Sequence, residues 1–364
     1  MAISNIYARS PFIIEINELA QLGSKVELYI YPYGTTPPST PTYTLEKLIP
    51  ASNNLQTLYN VSPYLLEAIN HDTFNNNYSF DAAPLHPSQY TMVIIKRYKL
   101  DSFTNSYVLL DSFTYQAYDG YGYYSEGMNP MLGAYYHLDE QTYYYWADPN
   151  NNPSVNQLER AGTFTAYLTN MHTVEYEQIG TGLTHSYTIS GTNNYNLYRV
   201  YPSYYLTGNI LRIKLGLIVV WEATFLPMVE CRYTPVVIDF INKYGAWQRE
   251  FMFKASYENL QTTTTEFNLM NKFATPFASY DEQTNQRQQF NTNGKIGYRV
   301  NTGWVDETFN NNLQQLMLSE RILLDNQPVK TRTQGFDKQK NINTKQINYV
   351  IEFEQNNDLI NNIV

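Results

Sequence analysis

Apolar and polar residues alternate with a period of two along most of this 364-residue chain, the spacing of β-strands with one buried face. The alternation predicts strands over 12–16, 26–31, 92–98, 107–115, 163–168, 186–189, 195–201, 210–221, 229–240 and 248–254. Within 210–221, Ile213, Leu215, Leu217, Val219 and Trp221 fall on one face. Turn-forming clusters separate the strands: TTPPSTP at 35–41, DPNNNP at 148–153 and GTNN at 191–194. Many short strands punctuated in this way predict a mainly β fold of tandem β-sandwich, immunoglobulin-like modules.

Helical spacing is scarce. SPYLLEAIN at 62–70 allows one or two turns, with Ser62 as N-cap and Pro63 at the first position. The stronger pattern runs from Asp306 to about Leu323. Phe309, Leu313, Leu316, Met317 and Glu320 repeat at helical spacing there, and Asp306 suits an N-cap. LLDNQPVK then reads as a hairpin turning at Asp325-Asn326. QINYVIEFE reads as a strand with Ile347, Tyr349, Ile351 and Phe353 on one face. Helix and strands are expected to pack as a small C-terminal α+β unit with Trp304 at its edge. The resulting division is a β-sandwich over 1–118, a Tyr/Asn/Gly-rich connection over 119–155, a second β module over 156–260, a polar linker over 261–290 and the α+β unit over 291–364.

Composition adds a direction. Hydrophobic residues make up 43 %, enough for a globular core, while charged residues fall to 16 % and tyrosines number 35. Tyrosine joins a large apolar ring to a hydroxyl that wants a partner, so it suits half-buried surfaces and interfaces; it is also an ordinary strand former. Tyr121, Tyr123, Tyr124, Tyr135, Tyr136, Tyr143, Tyr144, Tyr145 and Trp146 are the densest group and the candidate partner interface. The formal net charge of −9 argues against a nucleic-acid partner. The longest apolar run, Leu215 to Trp221, is too short to cross a bilayer, which takes about 20 residues. The opening MAISNIYARSPF shows no secretory pattern, so synthesis in a cytoplasm is expected.

Catalytic patterns are missing. His71, His86, His137, His172 and His185 include no pair four residues apart on a helical pattern, so no metal or cofactor is expected. The single cysteine, Cys231, cannot form an intramolecular disulfide, and its VECRYTPVVIDF setting reads as an inert strand residue. No nucleophile elbow and no phosphate loop occurs. Asp119, Glu126, Asp139, Glu140 and Asp148 lie among aromatics in YDGYGYYSEG and AYYHLDEQTYYYWADP. That mixture would suit a glycosidase if two carboxylates met, or a glycan-binding adhesin. The bland reading is a scaffold of loop and interface residues. A basic tract, Lys330, Arg332, Lys338, Lys340 and Lys345, faces one acid, Asp337. It suits a solvated hairpin or an acidic neighbour better than DNA.

Three C-terminal segments, VECRYTPVVIDFINKYGAWQREFMFKAS, NTGWVDETFNNNLQQLMLSERILLDNQPVKTRT and NTKQINYVIEFEQNNDLINN, resemble a structural virion protein of crAss-like and related tailed phages that infect Bacteroidetes. SPFIIEI, VELYIY and YTLEKLIPASNN near the start are similar to it in style. The resemblance carries no catalytic residue. It implies a non-enzymatic, multimeric virion component made in the host bacterial cytoplasm, most simply an auxiliary (decoration) protein on the major capsid shell. A tail, connector or baseplate subunit is the alternative.

Overall fold

A computed structural model describes residues 4–49, 55–71, 90–130, 135–147, 161–190, 193, 195–228, 235–269, 273–274, 279–280, 286–338 and 346–360. The chain is mainly β, as the alternation predicts, and the described residues include two short helices. Cys231, His86, Asp148, Lys340 and Lys345 lie outside the described residues.

The N-terminal part contains β1 (Ser4–Tyr7), β2 (Ile13–Ile16), β3 (Gln21–Pro32), β4 (Tyr43–Leu48), β5 (Thr57–Asn60), α1 (Ser62–Ala68), β6 (Tyr90–Asp101) and β7 (Ser106–Tyr118). Five strands form a sheet in the order β1-β7-β6-β3-β4, with β1 parallel to β7 from Ser4↔Tyr115 to Tyr7↔Tyr118. Val26 and Leu28 of β3 and Val93 and Ile95 of β6 are fully buried on one face. They meet Ile14 and Ile16 of β2, Tyr59 of β5 and Leu65 of α1 in one core. The N-cap of α1 is Val61, not Ser62. The Ser62 hydroxyl donates to the Ser10 carbonyl at 2.5 Å and accepts from the Phe12 amide at 2.8 Å, so it fastens the helix to the approach of β2.

Next come β8 (Tyr143–Ala147), β9 (Phe164–Leu168), β10 (His172–Gln178), β11 (Thr184–Thr188), β12 (Asn196–Val200), β13 (Asn209–Leu215) and β14 (Ile218–Met228). Their main sheet runs β11-β10-β13-β14-β8, with β9 and β12 paired separately. The predicted strand over 210–221 is instead a hairpin. Gly216, at φ +61°, reverses the chain, leaving Leu217 99 % exposed while Ile213 and Trp221 are buried. The leucine alternation runs straight through this turn, and only the glycine marks it. Of the predicted strand over 229–240, residues 229–234 lie outside the described residues, and strand runs from Val236.

The third sheet is built from β15 (Val236–Ile241), β16 (Trp247–Met252), β17 (Tyr257–Asn268), β20 (Arg287–Asn301), β22 (Ile322–Leu324), β23 (Gln327–Thr331) and β25 (Val350–Gln355), in the order β16-β15-β22-β23-β25-β20-β17. Short pairs β18 (Phe273–Ala274) with β19 (Ser279–Tyr280) and β21 (Val305–Asp306) with β24 (Gln346–Ile347) accompany it. Within the stretch 261–290 the described residues are largely strand. Four consecutive threonines favour extended backbone without supplying an apolar face. The hairpin at Asp325-Asn326 forms as predicted, both residues at positive φ. The predicted helix is shorter than its pattern. Asp306 caps as expected, its Oδ1 accepting from the Thr308 amide at 2.9 Å, but a 3-10 turn over Glu307–Phe309 precedes α2 (Asn310–Met317). Glu320 lies beyond the helix end.

One core joins the second and third sheets. It runs from Leu138 and Trp146 through Phe225 and Phe240 to Phe309, Leu313, Leu316, Ile347, Tyr349, Ile351 and Phe353. The stripe of α2 and the apolar face of 347–353 thus bury themselves as the periodicity indicates, at about 1.5–3 kcal/mol per large apolar side chain, although the predicted single strand is divided between β24 and β25. Trp304 stays half exposed, with the Lys254 ammonium 4.3 Å from its ring centroid.

Candidate functional site

Two features stand out: a tyrosine-lined seam between the N-terminal sheet and the rest, and a long exposed arm. The seam is built from Tyr7, Tyr90, Met92 and Tyr118 on one side and Tyr167 and Leu197 on the other. Tyr90 stacks on Tyr118 at 5.2 Å, and the Tyr118 and Tyr167 hydroxyls share a hydrogen bond. His137 meets the Tyr118 ring edge-on at 4.9 Å and stacks near Tyr244 at 6.2 Å, while its Nδ1 bonds Thr165 Oγ1 at 2.7 Å. Burial depresses this imidazole to about 3, so it is neutral at any physiological pH.

A turn that sequence reasoning passed over organises the seam. Asn242 donates to the His137 carbonyl at 2.9 Å and accepts from the amides of Tyr244 and Ala246. Lys243 Nζ bonds Glu126 Oε1 at 2.8 Å and lies 4.4 Å from the Tyr123 ring centroid. Tyr244 and Gln315 donate to the two oxygens of Asp139 at 2.8 and 2.7 Å. Gly245, at φ +76°, touches the amides of Asp119 and Gly120, where a Cβ would approach to 2.8 Å. The NKYG string between two apolar runs is the signal that marks this turn.

The nine candidate interface aromatics divide. Tyr121, Tyr144, Tyr145 and Trp146 are buried and serve the protein's own interior. Tyr144 stacks on Phe225 at 5.0 Å, and the Tyr145 hydroxyl accepts from the Asp306 amide at 2.8 Å. Tyr123 and Tyr136 are half-buried, and burial pushes Tyr136 up to about 12. Tyr124, Tyr135 and Tyr143 face outward. Local density of tyrosines cannot separate these groups, and neither does strand parity, since β8 is buried on both faces from Tyr144 to Ala147 and only Tyr143, its first residue, is exposed.

The acidic candidates are tied to structural donors. Asp119 Oδ2 lies 2.7 Å from His71 Nε2, Glu126 accepts from Lys243 and from the Tyr123 amide, and Asp139 is held as above. Glu140 is exposed. A different carboxylate is perturbed: Glu250 is fully buried on β16, and burial raises it to about 8 despite a 2.7 Å bond from Gln248 Nε2. Among the described residues no group of three His, Cys, Asp or Glu is arranged to hold a metal, and no helix is long and apolar enough to cross a membrane. Lys330, Arg332 and Lys338 of the basic tract are exposed, with Lys330 Nζ 3.3 Å from Glu354.

The arm consists of β17 and β20, paired from Tyr257↔Arg299 to Asn268↔Arg287. At about 3.3 Å per residue β17 spans roughly 40 Å. β25 accompanies β20 only along Gly297–Asn301, and Leu359 and Ile360 reach no farther than Gly294 and Asn293. Beyond that point the arm is a two-stranded ribbon, exposed along its length. Phe267 and Phe290 form a ring pair at 5.5 Å, both nearly half exposed, and Leu260 and Tyr257 are more exposed still. At the base a groove of about 470 Å³ is lined by Tyr257, Asn259, Gln261, Gly297, Arg299 and Arg332. Within it the Asn259 amide lies over Gly297, where a Cβ would come to 2.1 Å from Asn259 Oδ1.

No protein-family model matches the chain, and no curated protein and no solved structure matches it significantly.

Proposed function

We propose that the chain is a non-enzymatic structural subunit of a tailed-phage virion, an auxiliary protein laid over the major capsid shell and made in the host cytoplasm. The observation that carries the assembly reading is the arm. A two-stranded ribbon is marginal in water, yet β17 and β20 expose both faces together with Phe267, Phe290, Leu260 and Tyr257. Such an element becomes stable when a neighbour covers it. The C-terminal resemblance supports a virion as the place where that neighbour is found. The packing of the N-terminal sheet beneath β2, β5 and α1 is in keeping with immunoglobulin-like sandwich modules suited to lying on a shell. The occupied carboxylates Asp119, Glu126 and Asp139 favour a scaffold over a glycosidase.

Quantitative mass spectrometry of purified virions tests the reading. The chain is expected in hundreds of copies relative to the major capsid protein. A copy number of one ring would move it to the tail or connector, and absence from virions would overturn the proposal.

A further inference from the structure

The edges of the three main sheets are protected unequally. β4 is short, carries Lys47 and follows Pro37, Pro38 and Pro41; β8, β11 and β16 are also short. Short edges, lysines, prolines and bulges are how proteins prevent sheets from pairing edge to edge. β17 has none of these. It is a 12-residue edge strand without Lys, Arg or Pro. The irregularity in the arm falls on its inner partner: Thr263 pairs with Asn293 and Thr265 with Phe290, so the extra residue belongs to β20, at Asn291 with φ +50°. The free side of β17 is therefore regular.

We propose that β17 pairs antiparallel with β17 of a second copy of this chain, about a twofold axis through Thr263. This rests on the assembly reading above and names the partner of the arm. An isologous pair closes both free edges at once. In such a pair opposed residues share a face, which confines the axis to one residue at a time. An axis at Thr262 would oppose Glu258 to Glu266 twice. An axis at Gln261 would leave Phe267 without a partner strand. The axis at Thr263 opposes Thr262 to Thr264, Gln261 to Thr265, Leu260 to Glu266, Asn259 to Phe267 and Glu258 to Asn268, with no carboxylate facing another. Threonine pairs are favourable across strands.

The same register matches a knob to a groove. Tyr257, Asn259 and Gln261 line the groove, so Phe267, an even number of residues away, stands on the same face. Phe267 of each copy then lies beside Asn259 of the other, whose cross-strand neighbour is Gly297. The exposed ring covers the rim of the groove and faces the guanidinium groups of Arg299 and Arg332, a cation–π arrangement. Twofold symmetry makes the contact twice, at the two ends of the paired strands. Main-chain hydrogen bonds supply the association and the ring in the groove fixes the register.

Thr263 is exposed, so its replacement spares the fold. The purified full chain is expected to sediment as a dimer. Thr263→Lys or Thr263→Glu alone, which sets two like charges face to face on the axis, should weaken dimerisation by about tenfold or more. Mixing the two variants should restore dimers, and circular dichroism should show both folded. Phe267→Ala should weaken the wild-type dimer and leave the fold intact. A wild-type chain that stays monomeric at high concentration, a dimer indifferent to Thr263→Lys, or a mixture that fails to recover would overturn the pairing. A monomer still present in hundreds of copies per virion would remove this inference and leave the structural role standing.

Discussion

The hydroxyl of Tyr118, at the end of β7, is hydrogen-bonded to the hydroxyl of Tyr167 on β9, so one buried contact ties the N-terminal sheet to the second module. Tyr118 also reaches Gln116 Oε1 at 3.1 Å. Each ring fills apolar space; the Tyr118 hydroxyl bonds within its own sheet as well as across the seam, whereas that of Tyr167 is met from the other module.

Removing the Tyr118 hydroxyl leaves that of Tyr167 buried without its partner, while Tyr118 can fall back on Gln116. Tyr118→Phe is expected to destabilise the chain by about 1–3 kcal/mol, the cost of a buried polar group left unpaired, and Tyr167→Phe by less. The double variant Tyr118→Phe/Tyr167→Phe should lose less than the sum of the single changes. Urea unfolding of the four species measures the coupling; strict additivity would mean that the hydroxyls do not act together.

Leu316 is 1 % exposed in the core shared by α2 and the last strand. Leu316→Ala should cost about 2–5 kcal/mol, the usual range for a truncated core leucine. Thermal or urea unfolding checks this. An unchanged midpoint would show that α2 does not depend on that stripe, although a helix of eight residues has little stability alone.

Stability should pass through a plateau as pH changes. The folded chain keeps the Glu250 proton up to about 8, against an ordinary 4.5. The unfolded chain releases it earlier, so stability falls as pH rises through that window. His137 stays neutral down to about 3 in the folded chain, against an ordinary 6.5. The unfolded chain takes up that proton earlier, so stability falls as pH drops through the second window. Each group contributes a slope of at most about 1.4 kcal/mol per pH unit. The slopes oppose one another between 4.5 and 6.5. Glu250→Gln should abolish the decline on the alkaline side while leaving the acid limb. Denaturation midpoints across the pH range test this, and an alkaline limb that survives in Glu250→Gln would reject the assignment.

Sequence reading located elements best where one face is buried. The buried face of Ile347, Tyr349, Ile351 and Phe353, the stripe of α2 and the Asp325-Asn326 turn were all legible, because periodicity and turn chemistry report directly on burial and backbone geometry; the break of that segment into β24 and β25 was not. It failed where neither face is buried, in the threonine arm, and where alternation ran through a glycine turn at Gly216. The seam was half legible. Its tyrosines announced themselves by number, but the residues that hold it, Asn242, Lys243 and Gln315, act through contacts between positions more than seventy apart in the chain, such as Gln315 with Lys243. Nothing local marks such pairs.

The parallel alignment of β1 with β7 has a consequence for how the chain comes to be folded. Ser4 takes its place opposite Tyr115, so β1, once synthesised, waits until the strand that receives it has been made. At synthesis rates of about 5–20 residues per second, the interval is several seconds. During it Ile6 and Tyr7, later fully enclosed, remain in water. β3 with β4 and β6 with β7 can zip as hairpins with small loop-closure cost, leaving β1 to dock last on a finished edge. The interval between the synthesis of β1 and of β7 is thus the time when this chain depends most on its surroundings.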